Sequence, residues 1–321
     1  MGRWNDRVCI ILVNWNGKND TLECLTSLSK CTYEKLVITV VDNGSTDESV
    51  AAIRAAFPKT VIFAEKENLG FAGGNNVAIQ WALTKSFDWI LLLNNDTTVA
   101  PNFLEEFLRT ARLFPSAKIF GAKLLRYHDR CTIDHLGGQW NPDRADFESL
   151  HAGEIDHVIE SEPVDYVCGA ALFMHRSVPD TIGYLEPNFF LFWEETDFCC
   201  RARRKGFEVR TSPEAKVWHK VSASFTGGKP HNHYFWWRSR LLWLERNLPF
   251  AERSHILKYI VYPEIRKLIR HNFYRLLQNF FLRRSTPDFI FKQKWLRAGL
   301  CGIFHYYRKK FGNCPSWIRT R

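Results

Sequence analysis

The residues of this chain best placed to do chemistry fall in two acidic clusters and one histidine. In Leu91-Leu92-Leu93-Asn94-Asn95-Asp96-Thr97 an apolar run stops in two amides and one carboxylate. A buried strand that ends so delivers polar groups to the carboxyl edge of a sheet, where open α/β sheets bind ligands. Asp96 is the charged group there, suited to a charged, phosphorylated ligand. The second cluster, Phe192-Trp193-Glu194-Glu195-Thr196-Asp197-Phe198, opens a helix that runs through Arg201, Arg203 and Arg204 to Gly206. Acids at its amino end and bases at its carboxyl end match the helix dipole, which by itself accounts for part of the pattern. Asp197 and Arg201, four apart, make an ordinary helix pair. Glu194 and Glu195 follow an aromatic run (Phe189, Phe190, Phe192, Trp193) that would wall a pocket, a setting in which a carboxylate can serve as a general base. A strand around residues 215–218 ends in His219, which is either a satisfied structural residue or a metal ligand.

The elements that must position these groups repeat a simple unit. Residues 8–13 are an apolar strand followed by the turn Asn14-Trp15-Asn16-Gly17, and Asn19 is placed to cap a helix carrying Leu22, Leu25 and Leu28. Residues 36–41 are apolar except Thr39, as in a strand buried on both faces of a parallel sheet. That strand ends in Asp42-Asn43-Gly44-Ser45-Thr46-Asp47-Glu48, where Ser45 and Glu48 form a capping-box pattern for a helix to about Phe57. Residues 61–64 form a third strand. Asn68-Leu69-Gly70-Phe71-Ala72-Gly73-Gly74-Asn75-Asn76 then reads as a loop opening a helix that ends near Thr84, and residues 89–93 are the fourth strand. The glycines serve either close packing alone or the approach of backbone N–H groups to a phosphate or sugar. Neither G-x-G-x-x-G nor G-x-x-x-x-G-K-[ST] occurs, which disfavours a dinucleotide oxidoreductase and a P-loop NTPase. Four strand–loop–helix units with short connections predict an α/β fold with a doubly wound, mostly parallel central sheet. A helix to residue 114, a strand near 119–125, a polar stretch over 127–162 and a buried strand over 164–174 complete the expected body.

Composition adds bounds. Nine scattered cysteines without a C-x-x-C pair read as reduced thiols, not as a disulfide framework or a cysteine zinc site. Residues 1–6 lack a signal-peptide core, and no window reaches the roughly 18 uncharged apolar residues of a spanning helix. The net charge of +10 conceals an asymmetry: residues 231–321 hold 19 Lys/Arg against 4 Asp/Glu, while the first 230 hold 25 against 30. The expected division is therefore a catalytic domain over 1–230 and a basic, amphipathic helical extension over 231–321 that suits an anionic membrane surface. Packing of those helices on the body is the competing account of the same pattern. No nucleic-acid recognition motif accompanies the charge.

Five motifs occur in order: Asn14-Trp15-Asn16-Gly17, Val41-Asp42-Asn43-Gly44-Ser45-Thr46-Asp47, Glu67 to Asn76, Leu93-Asn94-Asn95-Asp96 and Trp193-Glu194-Glu195-Thr196-Asp197-Phe198. Together they resemble the inverting family-2 glycosyltransferases of GT-A fold, in the bacterial rhamnosyltransferase-like branch, over roughly residues 7–225. The resemblance implies transfer of a sugar from a nucleoside diphosphate donor (a dTDP- or UDP-sugar, with dTDP-rhamnose the first choice) to a hydroxyl of a glycan or polyprenyl-diphosphate-linked acceptor. It implies that Asp42 hydrogen-bonds the nucleobase beside Asn14, Trp15 and Asn16, with Asn43, Gly73, Asn75, Asn94 and Asn95 as further nucleotide contacts. Asn94-Asn95-Asp96 takes the place of the family's D-x-D-like motif, so Asp96 would bind Mg2+ or Mn2+, with His219 a further ligand. Glu195 falls at the catalytic base, with Glu194 its rival because relatives carry Glu-Asp at this pair. The implied location is cytoplasmic, peripheral at the inner face of a bacterial cytoplasmic membrane, in cell-surface polysaccharide synthesis. A sugar-phosphate nucleotidyltransferase shares the sheet type but would want a basic Gly-rich loop where Asn14-Trp15-Asn16-Gly17 stands. A non-catalytic nucleotide- or glycan-binding module would bind donor without turnover.

Overall fold

A computed structural model describes residues 5–220, 228–282 and 286–319; residues 1–4, read above for targeting signals, lie outside the described residues. Strands β1 (Val8–Asn14), β2 (Leu36–Asp42), β3 (Val61–Ala64) and β4 (Trp89–Asn94) are parallel and lie in the order β3-β2-β1-β4. Helices α1 (Lys18–Leu28), α2 (Ser49–Ala56) and α3 (Gly70–Leu83) connect them. Continuous apolar runs form these strands because both faces are covered. Ile10, Leu12, Leu91 and Leu93 enter one core with Phe103 and Phe107, which lie on α4 (Phe103–Leu113). Cys9, Ile11, Ile90 and Leu92 enter the other with Ala78 and Ile79 of α3.

Beyond β4 the sheet becomes mixed. After the short strand β5 (Thr97–Val99) and α4, strand β6 (Ala117–Arg126) joins the sheet, β7 (Ile133–His135) pairs with it, and β8 (Gly138–Asn141) forms a separate hairpin with β9 (Asp146–Ser149). Strand β10 (Ala171–His175) runs antiparallel between β4 and β6, and β11 (Glu208–His219) lies parallel to β6. Short helices and loops, including α5 (Ser177–Ile182), lead to α6 (Glu194–Arg204).

Several local expectations change. The strand expected over 164–174 begins only at Ala171; Val164 instead donates its N–H to the Val209 carbonyl, and Val167 packs against Gly121. The Gly-rich run is not a loop, because α3 starts at Gly70. Asn19 lies inside α1, whose first N–H, that of Lys18, is taken by Asp47 Oδ2 at 3.0 Å. The capping box is not formed either: Glu48 is left-handed, and Asp47 Oδ1 accepts from Ser49 N at 3.2 Å. Asp47 thus serves two helix starts, which frees Ser45 for the site.

Helices α7 (Pro230–Asn247), α8 (Phe250–Ile256), α9 (Tyr262–Leu282), α10 (Pro287–Tyr307) and α11 (Ser316–Arg319) follow, with a π-helical turn over Leu257–Val261. No helix among the described residues is long and apolar enough to cross a membrane. α10 lies directly on α7 because Gly302 meets the Tyr234 backbone and Gly299 meets His233, where a Cβ would be within 3.0 Å of both. α7 in turn packs into the body. Arg238 and Arg240 are fully buried, and Asp197 of α6, also buried, accepts from Arg201 Nε (2.8 Å), Arg246 Nε (3.0 Å) and Asn247 Nδ2 (2.9 Å). Asp197 is thus a tie between α6 and α7. Removing it strands two guanidinium groups that remain partly solvated, so Asp197→Ala should lower unfolding free energy by about 3 kcal/mol in urea denaturation.

Candidate active site

The carboxyl ends of three neighbouring parallel strands meet at one edge of the sheet. Asn14 of β1 pairs in register with Asp42 of β2, and Val13 pairs with Asn94 of β4. This is the crevice where open α/β sheets take ligands. Asn14 organises it. Its Nδ2 donates to Asp42 Oδ1 (2.7 Å) and Ser45 Oγ (3.1 Å), and its Oδ1 accepts from Thr21 Oγ1 (2.9 Å), Gly17 N (3.1 Å) and Asn95 Nδ2 (3.2 Å). Asp42 Oδ2 takes the Ser45 N–H, and Asn16 Oδ1 takes the Thr46 N–H at 2.7 Å. The turn after β1 and the turn after β2 are therefore one hydrogen-bonded unit. Trp15 projects from it, 44% exposed, with the Arg319 guanidinium 4.5 Å from its ring centre.

The remaining residues expected at the nucleotide are disposed differently. Asn43 bonds the Gly70 carbonyl and touches the position of Gly74, so Gly74 is the glycine that brings α3 against β1 and β2. Asn75 is buried and turns its amide back to the Phe71 carbonyl, and a side chain at Gly73 would meet only Leu69. Asn75 thus spends its amide within α3, and Gly73 stays open on the side away from Leu69. Asn95 points into that unit rather than toward Asp96, while Asn94 Nδ2 approaches His219 Nε2 at 3.5 Å.

β5 explains how Asp96 and His219 meet. Its antiparallel pairing with β11 sets His219 opposite Thr97, and Lys220 N bonds the Asp96 carbonyl at 3.0 Å. Lys220 is anchored on α1 by Asp20 and by Glu23, at 2.5 and 2.7 Å. His219 Nε2 then lies 3.3 Å from Asp96 Oδ1, and Nδ1 lies 3.6 Å from Asp134 Oδ2 on β7. Burial alone would disfavour the imidazolium, but the flanking Asp134 and Asp96 outweigh it and raise its pKa to about 9. Nδ1 is buried without a hydrogen bond. One carboxylate and one imidazole on the same side, with a second carboxylate behind the ring, form a donor set that fits Mg2+ or Mn2+ completed by phosphate oxygens. Sequence patterns do not point to Asp134 or Thr21 as site residues, and they give Ser45 another role. Asp134 lies in the polar stretch that carried no pattern, whereas Ser45 was visible but assigned to a helix cap.

Glu194 and Glu195 start α6 behind three non-glycine residues with left-handed backbone, Phe190, Phe192 and Trp193. The Phe190 carbonyl accepts from Phe71 N at 2.7 Å and crosses Gly70, whose own φ is +77°. Arg238 Nη2 and Ser239 Oγ both donate to the Phe189 carbonyl, at 3.1 and 3.2 Å, and Ser239 also to that of Leu191 at 2.9 Å. This fixed loop presents two carboxyl groups whose Oε2 atoms are buried without hydrogen bonds. Burial raises Glu194 well above its ordinary range, with the charge of Glu195 adding to it. Burial also lifts Glu195, to about 7, against backbone N–H groups that hold it down. At neutral pH the pair keeps a proton on Glu194 and leaves Glu195 poised to lose its own.

Against known proteins, residues 9–178 match the family model Glycosyl transferase family 2, more than half of the chain. The chain belongs to that family. Among curated proteins it is similar to the N-acetylglucosaminyl-diphospho-decaprenol L-rhamnosyltransferase of Mycobacterium tuberculosis, 24% identical over 73% of this chain and 87% of the relative. It is also similar to a dTDP-rhamnosyl transferase of Shigella flexneri, 21% identical over 76% and 81%. Among solved structures, a mannosyltransferase from Pyrobaculum calidifontis in complex with GDP-Man and Mn2+ aligns with TM-score 0.59 at 12% identity, over 96% of this chain and 88% of that one. GalNAc-T7 with UDP, GalNAc and Mn2+ aligns with TM-score 0.55 at 13% identity, over 66% and 43%. The fold is GT-A, and the rhamnosyltransferase-like resemblance read from the motifs stands.

If Glu195 is the base, kcat/KM should rise with pH through about 7, because only the ionised carboxylate can take a proton. Glu195→Gln should lower kcat by about 100- to 10,000-fold. Glu194→Gln replaces a group already neutral and should keep both activity and the acid limb. Raised carboxyl pKa values mean the folded state binds more protons than the unfolded one above the ordinary Glu range. Stability is therefore lost as pH rises toward and past 7, and both Gln variants should have higher urea midpoints at pH 8 than the parent.

Proposed function

We propose that the protein is an inverting, divalent-metal-dependent glycosyltransferase that moves a sugar, best fitted as rhamnose from dTDP-rhamnose, to a hydroxyl of a lipid-linked glycan acceptor. The observation that supports the chemistry is a carboxyl group raised to about 7, Glu195, at the start of α6 behind a loop held by Arg238, Ser239 and Phe71. The donor's base and ribose lie against Asp42, Asn14, Trp15 and Asn16, and its diphosphate toward Asn94 and Asp96. Asp96 and His219 would hold Mg2+ or Mn2+, which when bound would neutralise the charge on the departing diphosphate. Asp134 orients the His219 ring from behind. Glu195 accepts the proton of the acceptor hydroxyl as its oxygen bonds to the anomeric carbon. The bond from that carbon to the diphosphate oxygen breaks on the opposite face, so configuration inverts. The departing nucleoside diphosphate takes the bonding electron pair.

The rhamnose and lipid components rest on the two rhamnosyltransferase relatives, one named for a decaprenol-linked acceptor. A membrane-surface role is supported by α9, where Ile269, Phe273, Tyr274, Leu276 and Leu277 are exposed on a helix that also carries Arg266, Lys267, Arg270 and Arg275. Apolar residues at this spacing beside cations suit an anionic lipid surface. Such contact places the enzyme at the inner face of the cytoplasmic membrane, where lipid-linked sugars are extended.

Two measurements test the proposal. In a thermal-shift screen, dTDP-rhamnose or another nucleoside diphosphate sugar should raise Tm only with Mn2+ or Mg2+, and Asp96→Ala should remove that dependence and about 100-fold or more of kcat. Absence of any nucleotide-dependent shift would overturn the donor assignment. Full-length protein should float with vesicles rich in anionic lipid, less so at high salt, and Phe273→Asp with Leu277→Asp should abolish flotation while leaving transfer to a short soluble acceptor intact. Unchanged flotation in that double variant rules out α9 as the contact.

A further inference from the structure

A second cluster of ligand-type side chains lies away from the Asp96–His219 pair, in the segment between β9 and β10. His151, Glu154 and His157 each direct one donor atom into a common space, all within 4.8 Å of one another. His151 Nδ1 is 3.1 Å from Glu154 Oε2, and His157 Nε2 is 3.8 Å from the same oxygen. Two ligands bound tetrahedrally at roughly 2.0–2.1 Å are themselves about 3.3 Å apart, so these separations bracket the edge of a zinc coordination shell.

The proton positions strengthen this. His157 Nδ1 is 2.9 Å from the Ile155 carbonyl, which can only accept, so Nδ1 carries the hydrogen. A neutral His157 therefore presents a lone pair at Nε2, toward Glu154. Behind His151, Glu162 Oε1 is buried without a hydrogen bond and lies 3.4 Å from Nε2. Glu162 stands where an outer carboxylate would take the Nε2 proton once an ion holds Nδ1. Without an ion, His151 Nδ1–H can donate to Glu154 Oε2 at 3.1 Å; with one, His151 Nδ1, Glu154 Oε2 and His157 Nε2 would be its three ligands.

The surrounding backbone is already fixed. Ile133 and the loop exchange two hydrogen bonds, Gly153 N to Ile133 O and Ile133 N to Glu154 O, each 2.8 Å. Asp156 pairs with buried Lys123 at 2.8 Å and with Lys216 at 2.6 Å. The ligands therefore need little ordering to bind.

We propose that His151, Glu154 and His157 form a structural site for a divalent transition ion, with Zn2+ the best-suited class by its two imidazoles and one carboxylate. Its consequence is mechanical: the loop is bonded to Ile133, and the next residue, Asp134, is the carboxylate facing His219. An ion there braces the strand that orients the donor-side histidine.

The test uses full-length protein stripped with chelator and titrated with Co2+ without nucleotide. One equivalent should bind with the visible absorption of a four-coordinate nitrogen–oxygen site and be displaced by Zn2+. His157→Ala and Glu154→Gln should each weaken Zn2+ binding at least about ten-fold, and Glu162→Gln by about ten-fold, the effect of an outer partner. Asp96→Ala combined with His219→Ala should leave it unchanged. Binding that survives His157→Ala, or that disappears in the Asp96/His219 variant, overturns the proposal, as does failure to bind at micromolar metal, which leaves the cluster an imidazolium ion pair only.

Discussion

Two adjacent carboxyl groups, Glu194 buried and Glu195 half-buried with its Oε2 enclosed, are the constraint around which the start of α6 is built. Each carries an oxygen without a hydrogen bond, and the forces on their protons are burial, their mutual charge and a few backbone N–H groups. A chain selected only for stability would replace one of them. Holding them also requires left-handed backbone at Phe190, Phe192 and Trp193, a conformation costing of order 1 kcal/mol or more at each non-glycine residue. The compensation comes from distant sequence: Arg238 and Ser239 bind the carbonyls of Phe189 and Leu191, and Phe71 binds that of Phe190. Strain of this kind persists where the surroundings over-determine it, and here two separate elements, α7 and α3, do so.

The crevice at the strand ends is organised in the opposite way. Its polar residues sit at the ends of strands whose register is set by both cores, so Asn14, Asp42 and Asn94 need no strained loop. Left-handed backbone is found at two non-glycine turn residues, Asn16 and Glu48, and the Asn16 side chain accepts the Thr46 N–H and ties the β1 turn to the β2 turn. Charge is gathered where β5, β11 and β7 bring Asp96, His219 and Asp134 together, beside the strand ends that carry Asn14, Asp42 and Asn94.

The parallel half of the sheet was legible because its strands are uninterrupted apolar runs, and its three connecting helices follow from short connections. Asp96 and Glu195 were legible as polar stops after apolar or aromatic runs. What escaped was anything set by contact between segments remote in sequence. Ser45 and Glu48 satisfy a capping pattern locally, yet Ser45 is claimed by Asn14 and Asn16 across the sheet, and Asp47 takes the helix start instead. Asp134 has no pattern around it, since β7 is three residues long and exists because β6 offers it an edge. The run from Val164 reads as strand by hydrophobicity alone, but its first residues are used to cover β6 and to bond β11.

Charge counted along the chain also misleads about where charge is available. The basic extension includes Arg238 and Arg240, which are inside the protein, and Arg246, which is paired with Glu186 and Asp197. A guanidinium can be buried at tolerable cost only when its planar fork finds oxygens. Arg238 finds the carbonyls of Gly312 and Phe189, and Arg240 those of Ala145 and Arg144 together with Glu264. These arginines act as cross-links between the extension and the loops around the acid pair, whereas the cations of α9 alternate with exposed aromatic and aliphatic side chains. The extension therefore divides by helix. α7 supports the loop and helix that carry Glu194 and Glu195, and any surface electrostatics must be argued from the helices beyond it.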